Sequence, residues 1–219
     1  MIEAIEKIRE TAKILTSQIS IGWDYFVLAK FIREAYANGR IKGAHEVLTQ
    51  SYAACWDTAI LAVTKVIDKQ PDSLNLSYLL NCVETSSKDY PSLTTDELKK
   101  QVADHRHELE SIEARIPGIW DERDRIVAHL DRKHVNAPTS VYTNPPIELD
   151  DLHGAIRALR RILLIYNAQL QAGGISIDQS QMIWDDLEKL IRLLEKESTS
   201  GLTKHASDGG EAEASTDRI

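Results

Sequence analysis

Proline and glycine are scarce in this chain, 6 and 10 among 219 residues. That scarcity excludes a turn-rich β architecture, and the plentiful Leu, Ile, Ala, Glu, Lys and Arg favour helix. Cysteine is scarcer still. Cys55 and Cys82 lie in apolar helical contexts without CxxC or Cys/His spacing, so both are read as reduced core thiols. The start lacks a basic segment followed by an apolar one, and no apolar run approaches the roughly 20 residues needed to span a bilayer. A soluble, cytoplasmic protein with no membrane partner is expected. Excess positive charge is missing too: the formal net charge is −8, which argues against a general charge-driven binder of duplex nucleic acid while leaving local basic sites open. Gly-rich phosphate loops, HExxH, CxxC pairs and GxSxG are absent, which removes the common nucleotide, zinc, redox and hydrolase readings. No cofactor and no metal are expected.

What is present is amphipathic helix. Hydrophobic residues make up 42% of the chain, ample for one sizeable core. Ile5, Ile8, Ala12 and Leu15 recur at steps of three and four, the spacing of a helix with one buried face. Trp23, Phe26, Val27, Phe31 and Tyr36 follow, either as a second helix or as a continuation past Gly22, up to a stop at Asn38-Gly39. The broadest apolar stripe, from Ala44 to Asp68, predicts the central core helix. Pro71 ends it, and a shorter helix runs from about Ser73 to Glu84. Residues 86–92 read as a loop. Thr94-Thr95-Asp96-Glu97 fits a capping box and opens a helix that continues to a kink or break at Pro117-Gly118. After a long Pro-containing loop, residues 134–146, a helix starts near Ile147 and ends at Gly173-Gly174. A last helix follows a capping box at Ser176 to Gln179, with a narrow seam of Ile183, Leu187, Leu190, Ile191 and Leu194 suited to a partner helix. Residues 1–197 are expected to form one helical domain. Residues 198–219, rich in Ser, Thr, Gly, Ala and acids, are expected to be a disordered acidic tail.

Chemistry concentrates in one short segment, Trp120 to Arg132. Arg offers a planar fork of donors for phosphate, and His exchanges a proton near neutral pH. A reaction that uses a ribose 2′-hydroxyl as nucleophile needs a proton acceptor, a proton donor for the leaving oxygen and positive charge on the phosphate. On helix geometry Arg125 and His129 stand about 40° apart around the axis, whereas Arg123 and His129 stand about 120° apart. Bare spacing therefore favours Arg125, with Glu122, Arg125 and His129 forming one polar stripe. The same spacing also suits a plain core helix with a solvated face.

The run Arg123-Asp124-Arg125-Ile126-Val127-Ala128-His129 resembles the signature of HEPN domains, in which an Arg, usually followed by a polar residue, precedes a His with four to six residues intervening, five here. The order of the chain is similar to the HEPN-like branch associated with U-type abortive-infection systems. A helical pair comes first, then Tyr52 to Ala62 leading to Ile67-Asp68, then Ser73 to Leu76, then the Arg/His segment. The resemblance covers roughly residues 1–195. It implies an all-α HEPN-like helical bundle of antiparallel helices, with a kinked motif helix, pairing as a homodimer so that two Arg/His segments share a cleft. In many members that cleft cuts RNA without metal. Carried over by position, Arg123 would neutralise the scissile phosphate, His129 would act as general acid or base, and Asp124 fills the polar place after the Arg. Arg125 and Glu122 remain the alternative set. A dimer would relax the angular objection to Arg123, because the two groups could meet across a symmetry axis.

The resemblance thus implies an RNA-acting protein, an endoribonuclease toxin of a phage-defence or toxin–antitoxin system, with an antitoxin or other protein as partner. The alternative is a non-catalytic helical dimer that binds a protein or nucleotide partner. Arg157, Arg160 and Arg161 form a basic ridge that could hold RNA phosphates beside the Arg/His cleft, set against a plain solvated face. His105 and His107, two apart, are read as surface histidines. Trp23, Trp56, Trp120 and Trp184 are read as core or dimer packing rather than base-stacking platforms.

Overall fold

The computed structural model describes residues 2–41, 46–70, 72–129, 147–171, 184–193 and 195, and among these the regular structure is entirely helical. The chain runs α1 (Ile2–Ala37), α2 (Glu46–Ile67), α3 (Leu76–Thr85), a 3-10 turn at Ser87–Asp89, α4 (Thr95–Arg115), α5 (Ile119–His129), α6 (Leu149–Gln169) and α7 (184–193). The sequence left open whether the first apolar stretch breaks at Gly22. It does not: α1 is one helix of 36 residues. The physical reason is a close crossing, since a Cβ on Gly22 would lie 2.7 Å from the Cβ of Ala62 on α2. Glycine lets the two backbones approach where any side chain would hold them apart.

The stop at Asn38-Gly39 forms as its residues predict. Gly39 takes a φ of +65°, its amide donates to Tyr36 O, and the Arg40 amide donates to Ala35 O at 2.9 Å, the paired bonds of a Schellman cap. Thr94 caps α4 with the full reciprocal box, its amide donating to the Glu97 carboxylate at 3.0 Å. Those bonds hold the Glu97 carboxyl below its ordinary range. Asn75 caps α3 by accepting from the Tyr78 amide at 2.7 Å.

Helix α2 is the central element, as its stripe predicts: Trp56, Ala59, Ile60, Val63, Val66 and Ile67 are all buried. It packs against α1, α3, α5 and α6, while α6 also packs on α1 and α4. One continuous core joins all six of these helices. A second, smaller cluster of Phe31, Ile32, Ala35, Ile41, Leu48 and Ile191 seats α7 against the end of α1. Trp184 meets Phe31 edge to face at 4.6 Å, and Arg40 bridges to Glu188 and Glu195. The seam on the last helix therefore finds its partner within the chain, through Leu187 and Ile191. Ile183 and Leu194, the capping box at Ser176 to Gln179, Gly173-Gly174, the 134–146 loop and the 198–219 tail lie outside the described residues. α6 stops at Gln169, ahead of the expected glycines, and Gln171 follows with a φ of +49°.

His105 corrects its sequence reading. It is buried, with Nδ1 2.9 Å from the Tyr166 hydroxyl, whereas His107 is exposed as expected. The imidazole forms part of a polar seam between α4 and α6, in which Gln101 and Gln169 exchange side-chain hydrogen bonds and the Tyr90 hydroxyl donates to Gln169. A polar side chain at a core position is tolerated once its bonds are satisfied, and no sequence period reports that. Burial pushes the Tyr166 phenol up to about 12 and lowers His105. Cys55 is buried and Cys82 half-buried, both as free thiols, and burial raises the Cys55 thiol.

Candidate functional site

Pro117-Gly118 makes a clean break rather than a bend. α4 ends at Arg115, Ile116 leaves helical geometry at φ −120° and ψ 55°, and α5 restarts with the Glu122 amide donating to Gly118 O at 3.0 Å. Proline has no amide to extend α4 and its ring clashes with the preceding turn, so the break is local chemistry. Its consequence is that α5 can take its own direction, with Ile119, Glu122 and Ile126 buried where it packs on α2.

The carboxylate–guanidinium pairs of the motif separate by side. Glu122 is the buried acid, at 1% exposure. Its Oε1 pairs with Arg125, and its Oε2 is buried without a hydrogen-bond partner among the described residues. Tyr52 on α2 feels that carboxylate and hydrogen-bonds with Arg33 of α1. Burial raises the Tyr52 phenol, the Arg33 guanidinium opposes that, and the Glu122 carboxylate adds to it. Tyr52 thus links α2 to Arg33 of α1 and lies within electrostatic reach of Glu122 on α5.

Arg123 lies on the opposite flank. Its guanidinium sits 4.9 Å from the centre of the Trp120 ring and donates twice to Asp124, from Nε at 2.8 Å and Nη2 at 2.5 Å. The Arg123 side chain is a third exposed and Asp124 two-thirds exposed. Stacking on an indole fixes the plane of the guanidinium without consuming its outward donors. Val127, one turn beyond Arg123 and Asp124, is half exposed. The exposed side of α5 therefore presents a held cation, a carboxylate and an apolar side chain.

His129 is the last residue of α5, and its side chain lies outside the described residues. Its register is fixed by the helix: seven residues after Glu122, it falls within about 20° of that carboxylate around the axis and some 10 Å further along. So the side of α5 that carries Glu122 and Arg125 also carries the position of His129, while Arg123 stands about 120° away. The angular conflict read from spacing is real in the folded chain.

The basic ridge on α6 faces α1 rather than lying wholly in solvent. Arg160 stacks 4.8 Å from the Trp23 ring, Arg161 pairs with Glu108 of α4, and Arg157 is exposed. Of the four tryptophans, Trp56 is fully buried, and Trp23, Trp120 and Trp184 pack partly buried against the core clusters. Sequence reasoning missed Tyr52 and its partner Arg33, and it placed Glu122 on a polar stripe, whereas Glu122 falls with Ile119 and Ile126 on the buried side of α5. No group of three or more His, Cys, Asp or Glu suited to a metal occurs among the described residues. No described helix is long and apolar enough to cross a membrane.

An all-α bundle whose short, separately oriented helix carries Arg-polar-x4-His is a HEPN-type domain. The chain belongs to the AbiU2 family of HEPN domains, which its residues 37–189 match. That span takes in α2 to α6 and the whole motif. No curated protein and no solved structure matches the chain.

Proposed function

We propose that this abortive-infection HEPN protein is a homodimeric, metal-independent endoribonuclease toxin in which Arg123 and His129 act on the scissile phosphodiester. The observation that supports this reading most is the division of labour on α5. Arg125 is paired with the buried Glu122, whereas Arg123, equally exposed, stacks on Trp120 and pairs with the exposed Asp124. An arginine engaged with a buried carboxylate is a poor phosphate ligand, because leaving would strand that charge. The carboxylate partner that Arg123 would give up, Asp124, is exposed and solvated.

In this reading Arg123 neutralises the phosphate and stabilises the charge that develops on its oxygens. His129 takes the 2′-hydroxyl proton or returns one to the leaving 5′-oxygen. Asp124 holds the Arg123 fork between turnovers. The 120° between Arg123 and His129 on one helix is bridged when a second copy supplies the complementary group, so the complete site needs two chains.

The test is incubation of purified protein with total RNA beside Arg123→Ala, His129→Ala and Arg125→Ala. Cleavage abolished by the first two supports the proposal. Cleavage unchanged in both, or absent from the wild type across conditions, refutes it and leaves a non-catalytic dimer that binds a protein or nucleotide partner. Light scattering is the second arm: a strict monomer at micromolar concentration contradicts a shared site.

A further inference from the structure

An open surface groove of about 580 Å³ lies along α6, with no described residue of α5 in its lining. Arg157, Arg160 and Arg161 line one part of it and Leu164 and Ala168 another, with Trp23 of α1 at its wall. The spacing is that of one helix face: residues 157, 161, 164 and 168 follow each other at steps of three and four, so cationic and apolar parts succeed one another along a single stripe. In a chain of net charge −8, three arginines on two turns are a strong local reversal of sign.

Several features make this a prepared surface. Trp23 stacks on His153 at 5.4 Å, and His153 stacks on Phe26 at 5.3 Å within 9° of parallel, so the aromatic wall is braced from below. Arg160 lies over the Trp23 ring, which fixes a guanidinium plane beside the apolar part. Arg161 has Glu108 as its partner. Arg157 has no carboxylate ion pair among the described residues and is exposed, as is Leu164 at 41%. Burial, Lys30 and Arg157 all lower His153, which keeps the braced stack uncharged near neutral pH.

We infer that this groove binds a nucleotide unit of single-stranded RNA, with a phosphate on Arg157 and the base laid on the Arg160 guanidinium and Leu164. Charge complementarity selects an anion, and the adjoining apolar stretch selects one that carries a planar face next to its charge. Single strands meet both requirements because their bases are unstacked and can lie on aromatic or guanidinium planes. A duplex buries those faces and offers phosphates alone. The inference rests on the RNA-acting reading for the identity of the polymer, and it places a holding site apart from the cutting one.

The experiment measures fluorescence anisotropy of a labelled single-stranded oligoribonucleotide with full-length protein carrying His129→Ala, so that strand scission does not obscure binding. In that background, Arg157→Ala with Arg160→Ala is expected to weaken binding at least tenfold and to lower the slope of log affinity against log salt by about 1 for each phosphate no longer neutralised. Trp23→Phe reports the wall directly: part of the tryptophan quenching seen on RNA addition disappears with it. Circular dichroism melts of the arginine variants, whose side chains lie on the surface, check that the fold persists. Binding and salt slope unchanged in the double variant would overturn the inference even if the wild type cleaves RNA. Arginine-dependent binding of an acidic peptide with none of RNA would overturn it too, leaving a protein partner. Binding lost in the arginine variants while no cleavage is ever detected would support the groove and defeat the ribonuclease reading separately.

Discussion

Substituting Arg125 by alanine should unfold this protein more readily than substituting Arg123, although the two stand two residues apart on one short helix. Glu122 is buried at 1% exposure, and Arg125 is its partner. Removing one member of a fully buried ion pair costs about 3–5 kcal/mol, because the remaining charge is stranded in a poor solvent. The Arg125 side chain is 32% exposed, so water screens the pair and the cost falls to about 2–3 kcal/mol. For a chain of this size that lowers the melting temperature by roughly 5–10 °C. Arg123 loses an exposed pair with Asp124 and a stack on Trp120, worth about 0.5–1 kcal/mol and no more than a few degrees. Thermal melts of the two variants at pH 7 make the comparison. Adding Glu122→Gln to Arg125→Ala removes the stranded charge and should recover a good part of the loss. Equal melting temperatures for the two single variants, or no recovery in the double variant, would refute the anchoring role of the Glu122–Arg125 pair. The result also governs how cleavage data are read, since activity lost in Arg125→Ala means little unless the variant is folded at the assay temperature.

Other consequences follow from the packing. His105 is lowered by burial, so the unfolded chain binds its proton more readily. Stability from this group is complete above the ordinary value near 6.5 and is lost as pH falls toward the folded value. Melts between pH 7.5 and 5 should therefore show falling stability, with a shallower slope in His105→Gln. His153 shifts the same way and supplies the residual slope, whereas a flat wild-type profile contradicts both. Gly22→Ala forces a methyl to within 2.7 Å of Ala62, an overpacking cost of about 1–3 kcal/mol set against roughly 1 kcal/mol of gained helix propensity. Urea denaturation should show a net loss that Ala62→Gly relieves, and a stabilised Gly22→Ala would mean the helices can move apart freely. Thr94→Ala removes the hydroxyl that accepts from the Glu97 amide while leaving the Thr94 amide to donate to Glu97, and should cost about 1 kcal/mol in the same assay, with no change counting against the cap.

Much of the architecture was legible in the residues themselves. The α2 stripe, the Asn38-Gly39 stop, the Thr94 box and the Pro117-Gly118 break are governed by neighbours within a turn or two, and each formed where its local chemistry placed it. α1 shows where that logic runs out. Whether Gly22 interrupts a helix depends on what lies across from it, and Ala62 is forty residues away. His105 misled for a different reason: read with His107 it looks exposed, whereas its place between Val102 and Leu109 on the buried stripe of α4 puts it inward, and Tyr166 supplies its bond. At the candidate site the sequence supplied the residue types, their order and the 120° between Arg123 and His129. It could not say which arginine is committed, because that is decided by the depth at which Glu122 is buried beside Arg125.

The sequence alone thus determined an all-α chain, the boundaries punctuated by proline, glycine and capping residues, and the α5 motif that marks an AbiU2 HEPN domain, since these are properties of neighbours along the backbone. Tertiary structure decided the unbroken α1, the partner of α7, the pairing of Arg125 with a buried Glu122 beside Arg123 with its exposed Asp124, and the arginine groove against Trp23. Each of those depends on side chains far apart in sequence sharing one volume of low dielectric, where burial sets which charges must be paired and which stay at the surface.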